Sequence, residues 1–452
     1  GLSLITCPSC GPHLALLDAG GLAITEGDSA LVTAVSALRN GRIVAVKGTG
    51  GFQLCCLASD GRAVAALRER KHTERPFAVI VGGVEKADRH AFLSDEEREL
   101  VQSPERPIVI CRRRPDSLAD SVAPRNASIG LVLPDSALLH LLVRGAGAPL
   151  VTTSGNRSGE PVAYRNEDAL SRLRWIADLF LLHDRPIASP CEESVTRIVA
   201  GKPLLVRRAR GWVPRSIPIA RSFAEPVLAV GGRQEEAVCI VSGGEAFLAA
   251  PVTLPSGPLD ETVERMTRLV GVFPSVVAHD IDADHPATRW ARERRNVRTI
   301  AVQQHHAHVV AAMAEHGLRG PVMGLAFDGG GRGTDGTSWG GELLFADDEE
   351  FRRVATFRPL RLAGGPRAIR EPWRIALIPN GVDRERFRSK DRREARQALG
   401  LPPEGRRVVF VGNLSPVKGP DVLLEAMRRL PADVRLSFVG DGPLQDELTR
   451  TA

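Results

Sequence analysis

The sequence predicts an α/β multidomain protein, on three observations. Between residues 30 and 220, short β-rich runs (RIVAVKGTGGFQL, PFAVIVG, PIVICR, APLVTTSGN, PLLVRRA) alternate with helix-like stretches such as RAVAALRERK and NEDALSRLRWIADLFLL. Such alternation builds a sheet flanked by helices. The 452 residues also exceed what one core serves, at roughly 100 to 200 residues per domain. Finally, the texture changes twice. The Pro-containing stretch VPRSIPIARSFAEP reads as a linker to a second α/β region that starts near Val227, and from Ile378 the runs RRVVFVGNL, DVLLEAMRRL and RLSFVGDG form a separate βαβ unit.

Composition narrows the function classes. Hydrophobic residues at 43% and charged residues at 25% are ordinary for chains that bury real cores, which excludes a disordered or collagen-like polymer. No apolar run reaches the roughly 18 to 20 residues of a membrane span, and no basic stretch followed by an apolar leader opens the chain. A cytoplasmic protein without a membrane partner is therefore expected. The first residue is Gly1, and the opening reads as the tail of a longer element. The net charge of +6 is spread along the whole chain, which argues against nucleic acid as the partner. Lysine occurs only at Lys47, Lys71, Lys86, Lys202, Lys390 and Lys418, so nearly all basic charge is arginine. A lysine here is a candidate for chemistry.

Seven cysteines include one pair with metal-ligand spacing, Cys7 and Cys10 in CPSCGP. No second CxxC completes a four-thiolate zinc site, so the pair reads as half a zinc site, a redox pair or chance. The odd count and the scatter of Cys55, Cys56, Cys111, Cys191 and Cys239 argue against a secreted disulfide framework. The densest constellation begins at Lys47-Gly48-Thr49-Gly50-Gly51, after the strand RIVAV. A glycine turn at a strand end lets backbone amides approach phosphate while the lysine adds point charge. Taken singly it is an ordinary turn, and each arginine cluster is a solvated face. Their company is what points to a nucleotide-binding concavity: Arg68-Glu69-Arg70-Lys71, Thr152-Thr153-Ser154-Gly155-Asn156, His183-Asp184-Arg185 and Arg207-Arg208-Ala209-Arg210-Gly211.

In the second region Val302-Gln303-Gln304-His305-His306-Ala307-His308 opens a helix. The strand MGLAF, a glycine-rich loop Asp328-Gly329-Gly330-Gly331-Arg332-Gly333 and Trp339-Gly340-Gly341-Glu342 follow. Histidines at helical spacing beside a later aspartate can hold a metal, and the glycine loop can hold phosphate. A His-rich turn by itself is as readily structural.

The order KGTGGFQL, LRERK, RPFAVI, GLVLPDSALLHLL, TTSGNRSGEPV, ADLFLLHDRPI, ESVTRIV and VRRARGWVP resembles the YrdC-like domain of the HypF carbamoyltransferases of hydrogenase maturation. CPSCGPHLALLD resembles the end of that family's zinc-finger region. QQHHAH through GGPRAIREPWRIAL resembles the first half of its ASKHA (actin-like ATPase) transfer domain. IPNGVDRERF, VVFVGNLSPVKGPDVLLEAM and SFVGDGP resemble the Rossmann-like nucleotide-sugar-binding segment of GT4-type GT-B glycosyltransferases. The resemblance implies a zinc-finger tail over 1–20, a YrdC-like domain over 21–222, a partial ASKHA domain over 226–377 and a GT-B fragment over 378–452.

For function, the resemblance implies conversion of ATP and carbamoyl phosphate into carbamoyl adenylate. The carbamoyl group then passes to the C-terminal cysteine of the partner HypE, to become the cyanide ligand of [NiFe] hydrogenase. It implies catalytic roles for Lys47, Ser154, Asn156 and Arg185, and nucleotide contacts from Lys71, Thr153, Arg208, Asp328, Gly329 and Gly331. It also implies Mg2+ with the ATP, structural Zn2+ at Cys7 and Cys10, and a divalent metal at His308 and Asp328. The sequence departs from the family at His72-Thr73, at the acidic pair Glu192-Glu193, and at Gln304, where the family has a histidine ligand. A threonylcarbamoyl-adenylate synthase-like enzyme and a non-catalytic RNA-binding module are the alternatives. Glycosyltransferase activity is not expected, because the acidic donor-site motif and an acceptor domain are not found.

Overall fold

The computed structural model describes residues 11–231, 235–249, 252–253, 259–360, 362, 365, 367–371, 391–398, 400–411, 420–428, 431–439 and 444–451. The chain forms two units, 1–358 and 359–452.

In the first unit the strand Val44–Lys47 is buried along its whole length, and its hairpin partner Phe52–Leu57 nearly so. Successive side chains of a strand point to opposite faces, so both faces need a cover. Ala45, Leu54 and Cys56 join one apolar layer with Val64 and Leu67 of the helix Gly61–Lys71. Val44, Val46 and Cys55 join a second layer with Ala34 and Leu38 of the helix Gly27–Arg39 and Leu142 of the helix Ala137–Ala146. The domain is a sheet with helices on both sides, as the alternation predicts.

The sheet has 12 strands, in the order Lys202–Arg207, Val195–Val199, Ile108–Arg113, Ser128–Val132, Ala78–Ile80, Leu150–Ser154, Phe52–Leu57, Val44–Lys47, Leu179–His183, Leu14–Asp18 and Ala23–Glu26, with Ala91–Phe92 pairing beside Ile108–Arg113. Register fixes what meets at its working edge. Ser154 lies opposite Gln53, Phe52 opposite Lys47, and Val46 opposite Leu181. Four adjacent strands therefore end in one row. The helix Gly61–Lys71 starts on an Asp60 cap, whose side chain accepts from the amides of Arg62 and Ala63, and it stops where His72 turns left-handed at φ 52°. The helix expected over NEDALSRLRWIADLFLL ends instead at Leu173, and its apolar end forms the strand Leu179–His183. Phe180 and Leu181 are buried on opposite faces of the sheet, and that two-sided burial overrides helix propensity.

The expected linker is also a strand. Residues Ile217–Gly231 pair antiparallel with Glu235–Leu248, and only Val227–Ala229 gain a second, parallel neighbour in Val276–Asp280. Pro226 sits within a register shift, where a missing N–H costs no ladder bond, and Pro218 is the last paired residue before the preceding shift. Helices Leu259–Val270 and Pro286–Arg292 cover this sheet. A three-stranded sheet, Val322–Arg332, Ser338–Ala346 and Phe351–Thr356, packs Ala326 and Leu344 against Val309 and Met313 of the helix Gln304–Glu315. The segment Asp328–Arg332, expected as a loop, lies inside the first of these strands, bulged between Phe327 and Gly331. The turn comes later, closed by the Gly333 amide on the Thr337 carbonyl at 2.8 Å.

In the second unit the strands Arg406–Val411 and Val434–Val439 pair in parallel, with the helix Pro420–Met427 between them in sequence, as the βαβ reading predicts. The expected junction at 377/378 lies outside the described residues, as do Cys7, Cys10 and Lys418. No helix among the described residues is long and apolar enough to cross a membrane.

Truncating Leu54→Ala, at a fully buried position, is expected to cost about 2–5 kcal/mol, whereas Leu22→Ala, at an exposed one, should stay within about 0.5 kcal/mol. Hydrogen exchange of the peptide spanning 44–57 measures both. Equal protection in the two variants would contradict the two-layer core.

Candidate active site

The row of strand ends assembles most of the residues singled out in the sequence. Lys47 closes its strand, is almost fully buried, and donates from Nζ to the His183 carbonyl at 2.8 Å. Lys71 is the last residue of its helix and lies on the same buried stripe as Val64 and Leu67, which carries its ammonium inward. There Nζ donates to the Ser154 carbonyl, to the Asn156 carbonyl at 2.8 Å and to Asn156 Oδ1 at 2.7 Å. Ser154 Oγ donates to the same Oδ1 at 2.8 Å, and Asn156 Nδ2 donates to the Glu160 carbonyl. The Asn156 amide thus has one orientation. Thr153 continues the strand opposite Leu54.

The glycines of the hairpin are required by close approach. A Cβ at Gly50 would lie 2.1 Å from the Cys191 carbonyl oxygen, and one at Gly51 would lie 2.8 Å from the Val162 side chain. The Gly48 amide closes the turn on the Gly51 carbonyl at 2.8 Å. Beside this turn a cavity is lined by Gly50, Gln53, Ser154, Cys191, Glu193 and Arg210. Gln53 bridges its wall, accepting from Thr152 Oγ1 at 3.0 Å and donating to Glu193 Oε1 at 2.5 Å. Asp135 ties the turn to the arginine segment, accepting from Thr49 Oγ1 at 2.6 Å and pairing with Arg210 at 3.3 Å. Its other oxygen, Oδ1, is buried without a partner, as is His183 Nδ1.

Burial governs the electrostatics. Desolvation pulls Lys71 down to about 8, against the attraction of Glu192 and Glu160. Lys47 is also lowered by burial, against Asp184 and Glu167. His183 is lowered by burial and then by the Lys47 charge. Glu193 is raised by burial, against Arg210. The Cys191 thiol is pushed up to about 11 by burial.

Two expected residues stand differently. Arg185 follows the strand Leu179–His183 and is exposed. Arg208 spends Nη2 on the carbonyls of Trp212 at 3.2 Å and Arg215 at 3.1 Å, and its Nε is buried without a partner. The cavity wall is made by Arg210 instead. Gln53, Asp135, Glu193 and Arg210 were not singled out as site residues. Only the pairing register and the turns that carry them bring them to the cavity, although Arg210 stands in the RRARG string.

In the second region Asp328 is the centre. Its Oδ1 accepts from the Gly330 amide at 2.7 Å and from His305 Nε2 at 3.2 Å. Its Oδ2 accepts from Gln304 Nε2 at 2.5 Å and lies 3.5 Å from His308 Nε2. Burial pushes the carboxyl up, but the hydrogen bonds from His305, His308 and the Gly330 amide hold it well below the usual range. His308 is raised by Asp328. Gly329 is exposed in the strand, and Gly331 is glycine because a Cβ there would meet Gln304 Oε1 at 2.7 Å.

With only six lysines to resolve, 13C-lysine NMR is expected to show one signal, Lys71, titrating near 8. Between that value and the ordinary lysine range near 10.4 the unfolded chain binds the extra proton, so stability should rise as pH increases through this window. Six titrations all near 10.4 would contradict the burial of Lys71.

Comparison with known proteins gives four matching family profiles. They are "Telomere recombination" (Sua5_yciO_yrdC) over residues 36–209, "HypF Kae1-like domain" over 222–315, "Carbamoyltransferase, Kae1-like Domain, second subdomain" over 324–397 and "Glycosyl transferases group 1" over 391–452. Carbamoyltransferase HypF of Synechocystis sp. is 41% identical over 373 residues, covering 81% of this chain and 48% of that protein. Carbamoyltransferase HypF of Rhodobacter capsulatus is 40% identical over 392 residues, covering 83% and 52%. D-inositol 3-phosphate glycosyltransferase of Mycobacterium bovis is 38% identical over 156 residues, covering 34% and 28%. Full-length HypF crystallised in a phosphate- and nucleotide-bound form matches with a TM-score of 0.75 at 37% identity, covering 82% of this chain and 50% of that one. The HypF of T. kodakarensis matches at 0.71 and 34%, covering 80% and 49%. The chain spans about half the length of the HypF relatives it matches. Over four fifths of its length, then, the chain is homologous to the HypF carbamoyltransferases, carrying YrdC-type and Kae1-like segments ahead of a glycosyltransferase-like one.

Proposed function

We propose that the chain is a HypF-type carbamoyltransferase whose first domain makes carbamoyl adenylate from ATP and a carbamoyl donor. The observation that carries this reading is the convergence of two buried ammonium groups, a hydroxyl and a glycine hairpin at one row of strand ends. In adenylation a carbamate oxygen attacks the α-phosphorus, the bond to the bridging oxygen breaks, and pyrophosphate leaves with its charge. Lys47 and Lys71 supply fixed positive charge for that leaving group, in surroundings poor in water where such charge acts most strongly.

Ser154 and Asn156 orient the carbamate. The buried, unpartnered acceptor Asp135 Oδ1 suits the NH2 of a carbamoyl group, since a buried acceptor without a donor is costly. Arg185, exposed beside His183, is free to reach the polyphosphate, Thr153 and the cavity-lining Arg210 complete the nucleotide side, and Mg2+ accompanies the phosphates. The carbamoyl group then passes to the C-terminal cysteine thiolate of HypE, with AMP as the leaving group, towards the cyanide ligand of [NiFe] hydrogenase. The CPSC pair holds zinc together with ligands from elsewhere.

Pyrophosphate release from ATP is expected only when carbamate is supplied, directly or from carbamoyl phosphate that has first been hydrolysed to carbamate and phosphate. Lys47→Ala and Ser154→Ala should each lower it about 100-fold, with folding checked by circular dichroism. Release that instead requires bicarbonate and threonine would make the chain a threonylcarbamoyl-adenylate synthase-like enzyme. Salt-sensitive RNA binding without substrate-dependent release would make it a binding module.

A further inference from the structure

The cluster around Asp328 has the look of a metal site, with a carboxylate, two imidazoles and a glycine-rich bulge. Its hydrogen bonds tell against one. Gln303 caps the helix Gln304–Glu315, and its Oε1 accepts from the His306 amide at 2.8 Å. Its amide nitrogen therefore faces the other way, donating to the Arg332 carbonyl at 3.2 Å and to His305 Nδ1 at 2.9 Å. With Nδ1 accepting, the His305 proton sits on Nε2 and is donated to Asp328 Oδ1. His305 is fully buried, so its tautomer is set by these two partners rather than by water. A nitrogen that carries a proton offers no lone pair to a metal, and His305 is removed from the ligand count.

Gln304 removes the vacancy. Its nitrogen donates to Asp328 Oδ2, and its Oε1 lies against Gly331, where glycine alone leaves room. Turning the amide over would set oxygen against oxygen. The carboxylate thus has donors on both oxygens, from Gly330, His305 and Gln304. The cation donors left are Asp328 and His308, two where a protein-held zinc-like ion needs three or four. Among the described residues no three His, Cys, Asp or Glu side chains are grouped as a metal would need. The residues do not fit the divalent ion expected at His308 and Asp328.

We infer that Asp328 is the acceptor of a closed hydrogen-bond cage that needs no metal, and that residue 304 decides between cage and metal site. Positions 304 and 308 are one turn apart on one helix face, and both side chains reach Oδ2. An imidazole at 304 would replace an N–H donor by a lone pair and raise the ligand count to three. The cage keeps the strand bulge and the helix start joined, and the inference stands apart from the adenylation reading of the first domain.

The test uses the full chain with Co2+ as the probe, followed by visible absorption and equilibrium dialysis. Thiolate charge-transfer bands report any binding at Cys7 and Cys10 separately from nitrogen and oxygen sites. Cobalt binding by the wild-type chain is expected to be unchanged by Asp328→Asn. Gln304→His should gain a site at least about tenfold tighter, lost again in the Gln304→His, Asp328→Asn double variant. Long-range 15N–1H correlation should show His305 in the Nε2–H form, a signature that needs no variant to fold. Cobalt binding by the wild-type chain that Asp328→Asn abolishes, a folded Gln304→His that gains no site, or a His305 proton on Nδ1 would each overturn the inference. All three would leave substrate-dependent pyrophosphate release untouched.

Discussion

Burial of the central hairpin on both faces is the constraint on which the first domain depends. Strands 44–47 and 52–57 lie between two apolar layers, so a polar group on them reaches a ligand only past the strand end. Lys47, Gln53 and Ser154 stand at that edge, brought into one row by the register of four strands. A site at the ends of sheet strands is thus the one outlet left by the packing. The glycines follow from the same crowding, since the turn that leaves the sheet passes under the Cys191 backbone with no room for a side chain at Gly50.

Lys71 shows the cost and the use of that arrangement. It occupies the apolar stripe of its helix, and burying a charge there is unfavourable unless polar atoms surround it. Three oxygens from the segment 154–156 do so. The same bonds fix the Asn156 side chain and through it the Ser154 hydroxyl. One buried cation therefore orders the neighbouring polar groups, and the depressed Lys71 is the electrostatic trace of the same desolvation. On the opposite wall Glu192 pairs with Arg207, and Glu193 is steadied by Gln53. Both acidic side chains thus have partners.

The second region uses the same devices differently. A helix start and a bulged strand converge on one carboxylate, and every donor to it comes from a residue within those two segments. Behind it Trp339 packs near His305 with ring centres 5.8 Å apart, while Arg353 bridges Asp335 and the buried Glu342. The hairpin that carries Asp328 is held from both sides. Similarity to HypF runs over four fifths of the chain, at about half of those proteins' length, and takes in these segments.

The sequence by itself determined the α/β alternation, the hairpin at Lys47, the helix ending in Lys71, the βαβ unit and the family, because each is written in local periodicity or in contiguous strings. It also named Lys47, Lys71, Ser154, Asn156 and Asp328, the chemically distinctive side chains at element ends. Tertiary structure decided what lies between segments. Ile217–Gly231 became a strand because Glu235–Leu248 pairs with it, which no linker-like proline content reveals. Asp328–Arg332 became a bulged strand because Ser338–Ala346 completes its ladder. Arg210 lines the cavity while Arg208, two residues away, is tied to the carbonyls of a turn. Gln304 was legible as a departure from the family. That it closes a cage depends on a strand some two dozen residues later, since hydrogen bonds between distant segments are set by the packing that brings the segments together.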